Sequence, residues 1–104
     1  MRVISQDGTM DVPYEISSFS MAVGKYENVE HAVIFCYNYS TSMGTKMAEY
    51  SSKEKTKKAM EELRYAYMCH SLAKMGQTPP DEIDEKLAMG LSGVFQFPAE
   101  EELE

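Results

Sequence analysis

Hydrophobic residues recur along this chain with two periods, and the change of period divides it. Between residues 17 and 23 the spacing is two: Phe19, Met21 and Val23 fall on one side of an extended segment, Ser18, Ser20 and Ala22 on the other. From residue 31 to 39 the alternation continues, with Val33, Phe35, Tyr37 and Tyr39 on one face and Ala32, Ile34, Cys36 and Asn38 on the other. Both faces are apolar near the middle, which predicts a central strand covered on two sides, by a helix and by a second subunit. From residue 51 to 75 the period becomes helical. Ala59, Leu63, Ala66, His70 and Ala73 form a stripe that Met60 and Tyr67 widen. Ser51 with Glu54 reads as a capping box, Glu54 with Lys58 as a favourable i,i+4 pair, and Gly76 ahead of Pro79 and Pro80 as the stop.

The other elements are short. Strands are expected at residues 2–5 and 10–15, folded into a hairpin at Asp7-Gly8, where glycine accepts the positive φ of a tight turn. Pro13 has no N–H to give a ladder, so the return strand is an edge or is paired only in its early part. Residues 24–28 read as a loop, 40–44 as a turn, and 45–50 as a strand running into the helix cap. A second, short helix is expected to start near Thr78 and Pro79. It carries Asp81, Glu82, Asp84 and Glu85 in its first turns, uses Ile83 and Leu87 as core contacts and ends at Gly90. Residues 93–97 form the last strand. Strands followed by helices predict an α+β fold: an antiparallel sheet of about five to six short strands packed by one long and one short helix. Residues 1–98 form a single domain and residues 99–104 a frayed acidic tail.

At 104 residues the chain can bury a core but not enclose a deep pocket alone. No stretch is apolar enough for a signal peptide or a membrane span. Cys36 and Cys69 lack metal-site spacing and read as free thiols in a reducing cytoplasm. Nine methionines suggest an adaptable core or an association surface. A net charge of −7 argues against sequence-independent binding to nucleic acid. That charge is uneven, however. The helical stretch holds Lys53, Lys55, Lys57, Lys58, Arg64 and Lys74 against Glu54, Glu61 and Glu62, while the rest has fourteen acids against four basic groups. A positive patch on an acidic protein can hold a small anionic ligand; a solvated helix face with internal ion pairs is the plainer reading.

No nucleophile–base pair stands out. His31 opens a strand, and His70 lies on the apolar stripe, where a core histidine is the simpler reading. Cys69 and His70 are adjacent and so point to different sides of the helix. There is no Walker loop, GxGxxG, HExxH or GxSxG. The expectation is a binding protein rather than an enzyme, with no catalytic residues, metal or cofactor. Seven Tyr and four Phe fall partly beside polar donors: Tyr37 with Asn38, Arg64 with Tyr65 and Tyr67, Gln96 between Phe95 and Phe97. Aromatic faces can stack a nucleobase, Arg and Lys can hold phosphate, and Asn or Gln can read a base edge. Phe35, Phe95 and Phe97 read as core.

The opening Met1-Arg2-Val3-Ile4-Ser5-Gln6-Asp7-Gly8-Thr9-Met10-Asp11-Val12-Pro13-Tyr14-Glu15 and the close Val94-Phe95-Gln96-Phe97-Pro98-Ala99-Glu100-Glu101-Glu102 resemble a group of small phage and prophage proteins of Gram-positive bacteria. Met47-Ala48-Glu49-Tyr50-Ser51-Ser52 fits the same group, while the middle diverges. The layout of strands then helices also resembles the phage Thoeris anti-defence proteins. Those sequester a cyclic ADP-ribose signal made by a host TIR-domain protein, and some also hold cyclic oligonucleotides. The resemblance implies a homo-oligomer, a dimer or an assembly of dimers, with ligand sites between subunits.

The expected function is therefore a phage protein of the host bacterial cytoplasm that sequesters a cyclic nucleotide-type signal without degrading it. No partnership with nucleic acid or membrane is expected. From their chemistry, Arg64 and Lys57, at i and i+7 on one helix face, would hold phosphates. Tyr67 would stack, and Asn38 or Gln96 would contact a base or ribose. The alternative is an acidic protein–protein inhibitor of a host defence enzyme, with Asp81 to Glu85 and the tail mimicking nucleic acid. A third reading is an accessory protein that self-assembles through an exposed sheet edge.

Overall fold

The first turn starts the fold. In the computed structural model, which describes residues 1–38, 44–76 and 92–103, one Asp7 carboxylate oxygen accepts from Ser5 Oγ at 2.7 Å, Thr9 N at 3.0 Å and Thr9 Oγ1 at 2.7 Å. Gly8 takes a φ of 78°, a conformation that costs glycine little. The turn folds β1 (Arg2–Ile4) back on β2 (Asp11–Pro13), Val3 opposite Val12. Pro13 sits in that outermost strand, as its missing N–H requires.

The single antiparallel sheet expected from the sequence is replaced by two three-stranded sheets. Pro13 ends β2, and a 3-10 turn, η1 (Tyr14–Ile16), redirects the chain, held by Ser17 Oγ to Pro13 O at 2.6 Å and Ser17 N to Tyr14 O at 3.2 Å. β3 (Ser18–Tyr26) therefore opens a new sheet instead of extending the first. The free side of β1 is taken by the C-terminal strand β6 (Val94–Gln96), which runs parallel to it with Phe95 opposite Val3. The α+β class holds; a wholly antiparallel arrangement does not.

In the second sheet β3 (Ser18–Tyr26) and β4 (Val29–Tyr37) form a long hairpin. Glu27 and Asn28 turn it with φ of 51° and 65°, the two left-handed residues of a tight primed turn. The loop expected at 24–28 thus shrinks to its last two residues. β5 (Thr45–Tyr50) pairs on the other side, leaving β4 central as expected. Ala32, Ile34 and Cys36 face inward and are buried, while Val33 and Phe35 are half-buried and Tyr37 exposed on the outer face. An irregularity beside Ile34/Phe35 gives β5 an extra residue, so Met47 and Ala48 are both buried.

The two sheets are tied at Gln6. Its N–H donates to Met47 O at 2.7 Å, its side-chain oxygen accepts from Glu49 N at 3.0 Å, and its side-chain nitrogen donates to Pro98 O at 3.3 Å. The buried Tyr50 hydroxyl donates to the same Pro98 carbonyl at 2.8 Å.

Helix α1 (Lys53–Lys74) lies over β4 and β5. Ser52 rather than Ser51 is its cap, accepting from Lys55 N at 3.2 Å. Ser51 is drawn the other way, its N–H donating to a Glu100 carboxylate oxygen at 2.5 Å. The buried face is Thr56, Ala59, Leu63, Ala66 and Cys69, with His70 half-buried and Ala73 exposed. Spacings of three and four follow this line through Cys69, so the expected stripe leaves the core after Ala66. Buried Thr56 keeps its hydroxyl satisfied through Ser52 O at 2.9 Å.

The tail expected to fray is structured over its described part. A 3-10 turn, η2 (Glu100–Leu103), places Leu103 in the core at 3% exposure. Lys58 Nζ approaches Leu103 O at 3.4 Å, and Lys55 lies 3.9 Å from Glu100. The second helix expected at 78–90, the last residue of the strand expected at 31–39 and residues 40–43 of the turn expected at 40–44 lie outside the described residues. No helix among those described is long and apolar enough to cross a membrane.

Candidate functional site

Because α1 sits over β4 and β5, its flank overhangs β3 and leaves two adjoining clefts there. One, of about 450 Å³, has Phe19, Ser20 and Met21 of β3 on one side and Lys57, Met60, Glu61 and Arg64 of α1 on the other. The helix spacing explains the lining. Lys57, Glu61 and Arg64 follow one another by four and three residues and share a face, while Met60 and Leu63 turn toward the sheet.

The second cleft, of about 330 Å³, shares Phe19, Met60 and Arg64 with the first and adds Tyr14, Glu15, Ser17, Leu63 and Tyr67. Arg64 stands between the two. Among the described residues neither Arg64 nor Lys57 has a carboxylate within salt-bridge distance. Glu15, the acid of the second cleft, bonds to the Met1 ammonium, which holds its carboxyl below the ordinary range. That pairing removes one competitor for Arg64.

Tyr67 meets the Tyr14 ring, stacked at 4.0 Å and 23° between planes, and Tyr14 stacks in turn on Phe19 at 5.9 Å. The row continues edge-on through Phe97 to Phe95. One face of Tyr67 is thus occupied within the molecule, and Tyr14 shares the aromatic part of the cleft. Burial pushes the Tyr14 phenol upward, Tyr67 adds to the rise, and Arg64 opposes it; Tyr14 is a neutral hydroxyl at physiological pH.

Of the five residues singled out from the sequence, three come together: Lys57, Arg64 and Tyr67. Asn38 lies next to them, in an open depression with Glu15, Ile16, Ser17, Ser18 and Tyr37 that shares Glu15 and Ser17 with the aromatic cleft. Gln96 lies elsewhere, its side-chain nitrogen 3.4 Å from Ser5 O beside the Asp7-Gly8 turn. Tyr14, Phe19 and Met21 line the clefts without having been singled out. Phe19 and Met21 were legible as sharing one face of β3, but nothing in the sequence marks that strand as the one α1 leaves uncovered. Asp81, Glu82, Asp84 and Glu85, on which the protein–protein alternative rests, lie outside the described residues.

Among the described residues no group of three or more His, Cys, Asp or Glu side chains is placed to hold a metal ion. Cys36 and Cys69 are buried free thiols. No family model, curated protein or solved structure matches this chain.

Proposed function

We propose that this protein binds a small anionic, nucleotide-like ligand in the paired clefts between α1 and β3. The observation that carries the reading is the position of Arg64, shared by both clefts, with Lys57 one helical repeat away and no carboxylate at ion-pair distance from either among the described residues. Two cations facing an apolar floor of Phe19, Met21 and Met60, beside the half-buried rings of Tyr14 and Tyr67, suit phosphates joined to a flat heterocycle. Glu61 on the same helix face lowers the net charge, which suits a ligand carrying ribose hydroxyls as well as phosphate.

In this reading, which also draws on the resemblance of the chain ends to phage proteins, the ligand is a cyclic nucleotide-type immune signal such as a cyclic ADP-ribose isomer or a cyclic oligonucleotide. The protein sequesters it unaltered inside the infected bacterium. Asn38 contacts the ligand at the rim; Gln96 has no part in this site.

Titration calorimetry with Arg64→Ala tests the assignment. A charge-assisted hydrogen bond is worth about 1.5–3 kcal/mol, so the variant should bind roughly ten- to a hundredfold more weakly at an unchanged melting temperature without ligand. Unchanged affinity in Arg64→Ala and Lys57→Ala would place the site elsewhere.

A further inference from the structure

Sheet edges present unpaired backbone groups, and proteins protect them with proline, irregularity or cover. Among the described strands, three of the four sheet edges are protected or short. β2 carries Pro13, β6 spans three residues ahead of Pro98, and the outer edge of β5 is taken by Gln6 through Met47 O and Glu49 N. β3 differs. It runs for nine residues without proline, its ladder with β4 has no irregularity, and among the described strands it pairs with β4 alone.

The side chains of this edge indicate what it pairs with. Read outward from Met21, residues 18–24 have the same character in both directions. Ser20 is mirrored by Ala22, Phe19 by Val23, and Ser18 by Gly24. We propose that β3 pairs antiparallel with β3 of a second copy of this chain, across a two-fold axis at Met21, joining two three-stranded sheets into one of six strands.

Pairing centred there keeps every residue on its own face. Phe19 lies opposite the partner's Val23 and Met21 opposite the partner's Met21 on the helix side, with small residues facing small residues on the other. An isologous contact sets each residue against its mirror position, so this pattern places apolar residues against apolar ones and small against small, with no charge opposite a charge. Lys25 is the one charged residue of β3 and falls outside the seven mirrored positions, so the edge itself carries little of the repulsion expected between two acidic chains.

The axis is perpendicular to the sheet, so both α1 helices stay on one side and the clefts of the two copies open onto each other. The result is a trough floored by Phe19 and Met21 of both copies and walled by Lys57 and Arg64 of both. The pairing itself stands whether or not that trough holds a nucleotide.

Sedimentation of the full chain at about 100 μM, with no ligand present, is expected to show a dimer. Directly opposed residues have Cα atoms about 4.5–5.5 Å apart, within disulfide range. Met21→Cys should therefore oxidise to a covalent dimer on a denaturing gel, whereas Val33→Cys, on the outer face of β4, should not. Cys36 and Cys69, at 1% and 6% exposure, are sheltered from the oxidant. Met21→Lys puts like charges directly opposite and should give a monomer with an unchanged circular dichroism spectrum. A monomeric wild type would overturn the proposal, as would a dimer that survives Met21→Lys or crosslinks through Val33→Cys alone, which is packing by sheet faces. Ligand binding by a monomer would leave the proposed function standing and remove this one.

Discussion

At the scale of single residues the N-terminal turn shows how one side chain can set a local structure. Three donors, from Ser5 and Thr9, converge on one Asp7 oxygen and lower its carboxyl from the ordinary 3.8 to about 2. A carboxylate held below its unfolded value adds stability that is fully present above that value and is lost as the pH falls through the folded one. Asp7→Ala should therefore lower the melting temperature at neutral pH by an amount that narrows as the pH falls from about 4 toward 2. Thermal melts of both proteins across that range check this, and a gap unchanged at pH 2 would contradict it. The turn was legible because Asp-Gly has one dominant local use. Gln6, one residue earlier, was not. Its bonds reach Met47, Glu49 and Pro98, far away in sequence, and an amide side chain carries no local signature of such a role.

Elements were legible where their signals are local and illegible where the partner decides. The period-two pattern located β3 and β4, the turn cluster and the helix cap bracketed β5, and the helical period located α1. Ser51 read as the cap because Glu54 follows it by three, but Ser52 caps the helix, and a contact from Glu100 draws on the Ser51 backbone instead. Ser52→Ala should cost about 1 kcal/mol in chemical denaturation, whereas Ser51→Ala, which leaves that backbone N–H in place, should stay within about 0.5 kcal/mol. Equal effects would contradict the assignment. The acidic tail read as frayed because three glutamates in a row repel one another. Its anchor is the following residue, Leu103, buried against the core at 3% exposure. Leu103→Ala should cost about 2–3 kcal/mol, measured by denaturant titration, and a loss under about 0.5 kcal/mol would mean that the tail does not contribute to the core. The division into two sheets was beyond local pattern altogether, since β1 and β6 meet across nearly the whole length of the chain.

For the whole molecule, the charge pattern and the placement of α1 act together. The protein is acidic, with a net charge of −7, yet its long helix is basic and overhangs a strand it does not cover. Lys57, Arg64 and Tyr67 could be picked out as a group because helical spacing alone sets them on neighbouring faces. Their cleft partners Tyr14, Phe19 and Met21 could not, because which strand lies beneath them is a property of the packed structure. The mismatch also explains Gln96, a polar residue between two aromatics whose parallel pairing with β1 carries it to the Asp7-Gly8 turn.

The central claim is a binding site that holds a nucleotide-type signal and releases it intact. A thermal-shift screen against cyclic ADP-ribose isomers and cyclic di- and trinucleotides, with recovery of the ligand after heating, tests it most directly. Ligand that binds only the folded state raises the melting temperature by mass action, by about 2.7 kcal/mol of stability at a hundredfold excess over Kd. The account predicts a clear shift with one of these compounds, loss of that shift in Arg64→Ala, and ligand recovered unchanged. No shift with any of them, or a ligand recovered in altered form, would contradict it.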